Sequence, residues 1–192
     1  MTNSNRVEQF LMVRDLIDLT LSPNDLTAPD GYELKNYEEG FESCWNEVHH
    51  SVFPDKKRHF HQKYLKNPDM VFMSDHFFFV FEQTTEEPAG INTAQVKRIN
   101  DEYLANLDWI AVKTEHRGHG IGKTLMYNVL NRFKEDGFTK ASLRTADMPS
   151  RADAKRLYEQ TGWEIVNKGS PEDMWEMQKT FVESPDPLLS RI

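Results

Sequence analysis

The chain has 192 residues, 38% of them hydrophobic and 11% aromatic, with a formal net charge of −8. This suits one globular domain with a sizeable core and excludes a disordered chain. The acidic balance argues against a nucleic-acid partner, which needs a basic face, and leans toward neutral or cationic partners, although acidic surfaces are more often only solvated.

Residues 1–30 read as an N-terminal extension. Its first ten residues, MTNSNRVEQF, lack the basic-then-apolar layout of a secretion signal, and no apolar run in the chain approaches a membrane span, so the expected location is the cytoplasm, with no membrane partner. From Val7 to Leu21 apolar residues are dense, compatible with a helix or an extended arm. Such a segment could cover a sheet face or make a subunit contact, which leaves a homodimer open. Ser22 to Gly31, with Pro23 and Pro29, is a linker. Tyr32 to Asn36 alternates as a first strand. Glu39 to Val52 has helical spacing and would bury Phe41, Trp45, Val48 and Val52, with Cys44 beside them; as the single cysteine it excludes an internal disulfide. Asp55 to Lys66 reads as a second helix, capped by Asp55 and carrying Phe60 and Tyr64. Phe77 to Phe81 is a buried strand, with Phe77 to Phe79 as core rather than a substrate platform. Pro88 to Lys97 and Tyr103 to Val112 are further strands, and their short connections imply an antiparallel meander. His49, His50, His59 and His61 fit no standard zinc spacing, so they read as helix-surface positions and no metal is expected.

The stretch from Asp108 to Met126, DWIAVKTEHRGHGIGKTLM, is the most informative. An apolar run, Trp109 to Val112, leads into a glycine-rich turn and then a helical segment in which Ile121, Leu125, Val129 and Phe133 recur every four residues. A helix N-terminus offers unpartnered N–H groups and partial positive charge, and glycines let the backbone approach a phosphate closely. The order strand, glycine turn, helix therefore predicts a pyrophosphate site. A dinucleotide fingerprint, G-x-G-x-x-G, fails because its third glycine would fall on Lys123 or Leu125. A P-loop fails because its opening glycine would fall on Arg117. The pattern [RQ]-x-x-G-x-[GA] fits without a gap at Arg117, Gly120 and Gly122. After it, Lys140 to Arg144 reads as a strand and Arg151 to Thr161 as a helix closed by Gly162. Trp163 to Asn167 and Met174 to Phe181 read as final strands, and Glu183 to Ile192, with two prolines, as a loose tail. On the helix before Gly162, the residues Ala154, Leu157, Tyr158, Gly162 and Trp163 form A-x-x-L-Y-x-x-x-G-[FW].

These two motifs, in this order, resemble the GNAT superfamily of acyl-CoA-dependent N-acetyltransferases, and residues 31–182 would make up that domain. The resemblance implies an α/β (α+β) fold: a mixed, mostly antiparallel, twisted sheet flanked by helices and splayed between the strand ending near Val112 and the strand at Lys140 to Arg144. Acetyl-CoA would be the co-substrate. Its pantetheine would pair along Ile110, Ala111 and Val112, and its pyrophosphate would lie on Arg117, Gly118, His119, Gly120, Ile121, Gly122, Lys123 and Thr124. The family often has Asn three residues before the alanine of the second motif. Here that position is Arg151, which could reach a phosphate instead or cap its helix.

Acyl transfer from a thioester to an amine needs a neutral amine, a donor for the developing oxyanion and a proton for the leaving thiolate. By resemblance the backbone N–H of Val112 or Ile110 serves the oxyanion. Tyr158 is the expected acid, since a phenol with an ordinary pKa of ~10 stays protonated beside a thiol of ~8.5; without the resemblance it would only pack at a helix end. Asp108, Glu102 or ordered water could take the amine proton, and Asp108 is the preferred residue. The acceptor, a primary amine on a small molecule or peptide, would bind between the first two helices and the later strands. The alternative is a non-catalytic acyl-CoA-binding regulator on the same fold.

Overall fold

The computed structural model describes residues 8–56, 58–146 and 152–192. Among these residues nine strands form one sheet. In chain order they are β1 (Gln9–Asp15), β2 (Tyr32–Asn36), β3 (Met70–Val71), β4 (Phe77–Glu82), β5 (Pro88–Ile99), β6 (Glu102–Leu107), β7 (Ala111–Val112), β8 (Lys140–Ala146) and β9 (Glu164–Gly169). The helices are α1 (Pro23–Leu26), α2 (Glu42–Val52), α3 (Ile121–Glu135), α4 (Ala152–Gln160), α5 (Pro171–Gln178) and α6 (Asp186–Leu189). The sheet order is β2-β4-β5-β6-β8-β1-β9, with β3 and β7 paired to β5 off that path. All pairings are antiparallel except β6 with β8, a parallel pair in register at Asn106 and Ser142. The expected mixed, mostly antiparallel sheet is therefore present.

Two apolar layers sandwich this sheet. On one face α3 buries Ile121, Leu125, Met126, Val129, Leu130 and Phe133 against Val80, Val96 and Leu143. On the other, α2 sets Trp45 and Val48 against Phe77, Phe79 and Ile91. Each such side chain contributes about 1.5–3 kcal/mol on burial. The five consecutive buried residues from Phe77 to Phe81 follow from this double cover, because a strand with helices on both sides loses its polar face.

The same logic settles the N-terminal segment. Of the two readings of this segment the extended one holds over residues 9–15, as a strand within the sheet rather than a cover on its face: β1 lies between β8 and β9, and Phe10, Leu11 and Met12 are buried in succession. The expected second helix is corrected. Across residues 54–66 the structure has a turn at Pro54 and Asp55, then a five-residue π-helix at His61–Leu65, and Asp55 makes no capping hydrogen bond among the described residues. Side chains of α2 take backbone groups that a longer helix would have used: Phe60 N–H donates to Asn46 Oδ1 at 2.9 Å, and the His50 ring donates to Arg58 O at 2.8 Å.

Met174 to Phe181 is also corrected, from strand to the end of α5 plus a short 3-10 turn at Lys179–Phe181. The signal lay just upstream. Ser170 Oγ accepts from Asp173 N–H, the Asp173 carboxylate accepts from Ser170 N–H and Oγ–H, and Pro171 opens the helix. The tail is docked rather than loose. Leu188 is fully buried, its N–H donates to Asp136 O at 3.1 Å, and Arg191 pairs with Asp75 and Asp136. Asp136, at the C-terminal end of α3, also lies 2.9 Å from His76 Nε2. Burial pushes its carboxyl up, but the His76 contact and the charges of Arg132 and Arg191 outweigh that and leave it below its ordinary value.

Candidate active site

The cleft of interest begins where the sheet comes apart. The expected single strand from Tyr103 to Val112 is broken: β6 stops at Leu107, Asp108 N–H reaches Thr93 O at 3.2 Å, and β7 resumes at Ala111. Beyond Asn106 and Ser142, β7 stays with β5 while β8 pairs with β1, so the sheet opens between β7 and β8. Lys113 N–H bonds Ala89 O at 2.9 Å. The alternation of an antiparallel ladder then turns the N–H and C=O of Val112, and those of Ile110 before it, away from β5 and toward the gap. An extended ligand laid along that edge would find backbone groups that no strand pairs with.

The glycine turn lies at one end of the gap. Gly118 and Gly120 have φ of +83° and +88°, left-handed values that a side chain would strain. Gly120 is the N-cap of α3. Arg117 N–H donates to Thr114 O and Lys123 N–H to Gly120 O, whereas the amides of Gly118, His119 and Gly120 make no backbone hydrogen bond among the described residues. Three successive free amides at the start of a 15-residue helix form a nest for an anion.

A cleft of about 1080 Å³ runs from this turn along the gap. Ile110, Val112, Arg117, Gly118, Gly120, Ile121 and Gly122 line it, and so do Asp108 and Tyr158. Arg117 Nε donates to Val112 O at 3.3 Å, tying the turn to the strand edge. Four expected contact residues are placed elsewhere. Ala111 is buried in the layer under α2. The His119 ring donates to His116 O at 3.2 Å and leans on Tyr32. Lys123 extends over Tyr127, and Thr124 Oγ1 donates to Thr27 O at 3.4 Å. Arg151 lies outside the described residues. Tyr158, 7% exposed, packs edge-on to Trp163, so the second motif holds the phenol at the cleft wall by aromatic contact.

Around Asp108 the structure shows an arrangement the sequence did not suggest. Its carboxylate accepts from Lys63 Nζ at 2.8 Å, Tyr64 Oη at 2.5 Å and Gln95 Nε2 at 3.4 Å. The wide turn of the π-helix aims the neighbouring residues Lys63 and Tyr64 at one carboxylate. Burial, then the charge of Asp108, pushes the Tyr64 phenol well above its ordinary value, so it stays protonated and donates. Gln95 Oε1 accepts from Asn106 Nδ2 at 2.8 Å, Asn106 Oδ1 from Gln178 Nε2 at 2.6 Å, and the same Gln178 nitrogen donates to Ser142 Oγ at 3.0 Å. This polar chain spans the point where the sheet opens. His49, expected at a helix surface, is buried, with its ring stacked on Trp45 and edge-on to Trp109. Among the described residues no group of three His, Cys, Asp or Glu is arranged to hold a metal. None of their helices is long and apolar enough to cross a membrane.

Solved structures share this architecture. A GCN5-related N-acetyltransferase from Sphaerobacter thermophilus matches with a TM-score of 0.64 at 17% identity, over 84% of this chain and 49% of that one, so this chain spans about half its length. Naa50 of Arabidopsis thaliana, in complex with the bisubstrate analogue CoA-Ac-MVNAL, matches with a TM-score of 0.52 at 16% identity, over 71% of this chain and 85% of that one. The aminoglycoside N-acetyltransferase AAC(6')-Iy, in complex with CoA, matches with a TM-score of 0.55 at 14% identity, over 71% and 90% respectively. Identities this low show the fold alone, and it is the fold of the N-acetyltransferases. The sequence profile of the Acetyltransferase (GNAT) family matches residues 34–163, and the chain belongs to that family. Among curated proteins no sequence match is found.

Proposed function

We propose that this chain moves an acetyl group from acetyl-CoA to a primary amine by direct attack, with no covalent enzyme intermediate. The observation that carries the reading is the continuity of one cleft. It joins the free amides at Gly118 to Gly120, the edge of Ile110 and Val112 that faces away from β5, and the side chains of Tyr158 and Asp108.

In this reading the Gly118–Gly122 backbone holds the pyrophosphate and the β7 edge pairs with the pantetheine, which fixes the thioester in the gap. The amine nitrogen attacks the thioester carbon, the C–S bond breaks, and the coenzyme leaves as a thiolate. Backbone N–H of Val112 or Ile110 donates to the carbonyl oxygen as its charge develops. Tyr158 gives its phenolic proton to the thiolate and regains one from solvent. Both oxygens of Asp108 already accept hydrogen bonds, so we assign it the orientation of the incoming amine, whose proton leaves through water.

A thiol-release assay across amino acids, peptides, polyamines and aminoglycosides tests this, with the acetylated amine confirmed by mass spectrometry. Tyr158→Phe is expected to lower kcat by about 10- to 100-fold with little change in acetyl-CoA affinity. Equal rates would remove Tyr158 from its role. Coenzyme binding without turnover of any amine would replace the enzyme by an acyl-CoA-binding regulator.

A further inference from the structure

The charge inside the cleft is opposite to that of the whole chain. Six of its lining residues are Lys or Arg (Lys56, Arg58, Lys63, Lys97, Arg117 and Arg144), against two carboxylates, Asp108 and Asp153. The molecule as a whole is at −8. This cationic lining is therefore local, and its members differ in what they already serve. Arg117 sits at the pyrophosphate end. Lys63 is neutralised by Asp108. Lys97 on β5 and Arg144 on β8 are another matter: neither side chain has an ion pair or hydrogen bond among the described residues. Their heads instead flank one ring, with Lys97 Nζ 5.1 Å and Arg144 Cζ 5.4 Å from the centroid of Trp175 on α5.

Two cations, neither of them ion-paired among the described residues, thus meet one indole at the cleft wall, Lys97 half-buried and Arg144 exposed. Burial holds the Lys97 ammonium down to about 8; the charges of Arg144 and Lys63 act in the same direction, and Asp108 and Asp69 oppose them. Cation–π contact with Trp175 offsets only part of the cost of an uncompensated charge. A ligand anion would complete the site. Its place in the cleft is set by strand geometry. Lys97 follows Gln95 by two residues on the same face of β5, about 6–7 Å along the strand, and Gln95 is itself bonded to Asp108. Lys97 is thus one step along β5 beyond the group assigned to the incoming amine, while Arg144, two residues past Ser142 in the parallel pairing of β6 with β8, is level with Asp108; both are on the face of the sheet that carries Asn106 and Ser142.

We propose that the acceptor is an amine that also carries an anionic group, a carboxylate or phosphate, bound by Lys97 and Arg144 at the cleft wall. This rests on the acetyl-transfer reading and names its substrate class. It turns the cleft away from polyamines and aminoglycosides, whose further positive charges would meet Lys97 and Arg144. Acidic amino acids, peptides that begin with them, and aminoalkyl phosphates share the required chemistry.

The test uses matched acceptors with the full chain: glutamate against glutamine, a Glu-initiated against a Gln-initiated peptide, phosphoethanolamine against ethanolamine, and spermidine as the cationic control. The expected result is at least about tenfold higher kcat/KM for the anionic member of a pair, the range of a charge-assisted hydrogen bond. Which pair shows it identifies the source of the anion. Lys97→Gln and Arg144→Gln are each expected to raise the KM for that acceptor about tenfold, to leave its kcat nearly unchanged, and to erase the preference over the neutral partner. Neither side chain makes a hydrogen bond or ion pair among the described residues, so both variants should fold, which a thermal melt verifies. Neutral or cationic amines acetylated as well as anionic ones would overturn the substrate class while leaving acetyl transfer intact. So would a preference that survives both substitutions. No turnover of any amine would instead overturn the acetyl-transfer reading, and this proposal with it.

Discussion

At the scale of single residues, Asp108 joins the fold to the chemistry. Its carboxylate joins the π-helix, through Lys63 and Tyr64, to β5, through Gln95, at the point where β6 breaks. Asp108→Asn keeps the shape but removes the charge that Lys63 balances. We expect kcat/KM for the amine to fall about 10- to 100-fold, with a loss of about 1–3 kcal/mol of stability, measured by steady-state kinetics and urea unfolding. An unchanged kcat/KM would leave Asp108 as a strut alone. His49 shows the opposite condition, a titratable ring with neither nitrogen hydrogen-bonded among the described residues, held by Trp45 and Trp109. Burial, then the charges of His50 and Lys63, holds its pKa down to about 4. In the unfolded chain a histidine titrates near ~6.5, so between the two values only the unfolded state takes up the proton. The stabilisation is complete above ~6.5 and is lost as pH falls toward about 4, amounting to about 2–3 kcal/mol near pH ~4.5. Urea midpoints at neutral and acid pH would show this slope, and His49→Phe should flatten it; an equally steep fall in that variant would assign the acid sensitivity elsewhere.

At the scale of elements, the site depends on where α3 starts and β7 ends. Gly120 caps α3 with left-handed φ, and a Cβ there would have only Pro29 within 4 Å. Gly120→Ala therefore adds backbone strain, about 1 kcal/mol, without a clash. Gly120→Glu also puts a carboxylate at the phosphate nest, and we expect it to abolish acetyl-CoA binding by calorimetry while the protein still melts cooperatively. Retained affinity would move the pyrophosphate away from this turn. The docked tail gives a control remote from the cleft: Leu188→Ala should cost about 2–5 kcal/mol of stability and leave kcat unchanged. Elements of this kind were legible in the sequence where one contiguous stretch carries the whole signal. The glycine turn and α3, and the spacing of Ala154, Leu157, Tyr158, Gly162 and Trp163, are such stretches. The break at Asp108 to Ile110 was hidden because an apolar run looks the same whether or not its pairing is continuous. α5 was misread because apolar content outweighed the Ser170–Asp173 cap, and the π-helix left no periodic trace in five residues.

At the scale of the whole molecule, the acceptor side of the cleft is built from residues that no local pattern could unite. Lys63, Gln95, Lys97 and Arg144 come from the π-helix, β5 and β8, with Trp175 of α5 in contact with the last two, and only the sheet topology brings the four together. Net charge was likewise a poor guide, since an acidic exterior encloses a cationic cleft. That contrast predicts a salt effect: the KM for acetyl-CoA and for anionic acceptors should rise with ionic strength as the lining is screened, while a neutral acceptor's KM changes little. Parallel rises for charged and neutral acceptors would contradict it. The account as a whole rests on a thioester arm lying between β7 and β8 with its phosphates on the turn before α3. Amide hydrogen exchange with and without acetyl-CoA addresses this most directly. The account predicts that added coenzyme slows exchange at Ile110, Val112 and the amides from Gly118 to Gly122, and leaves β2 and β4 unchanged. Binding that leaves those amides exchanging at their free rate, or protects a different edge of the sheet, would contradict it.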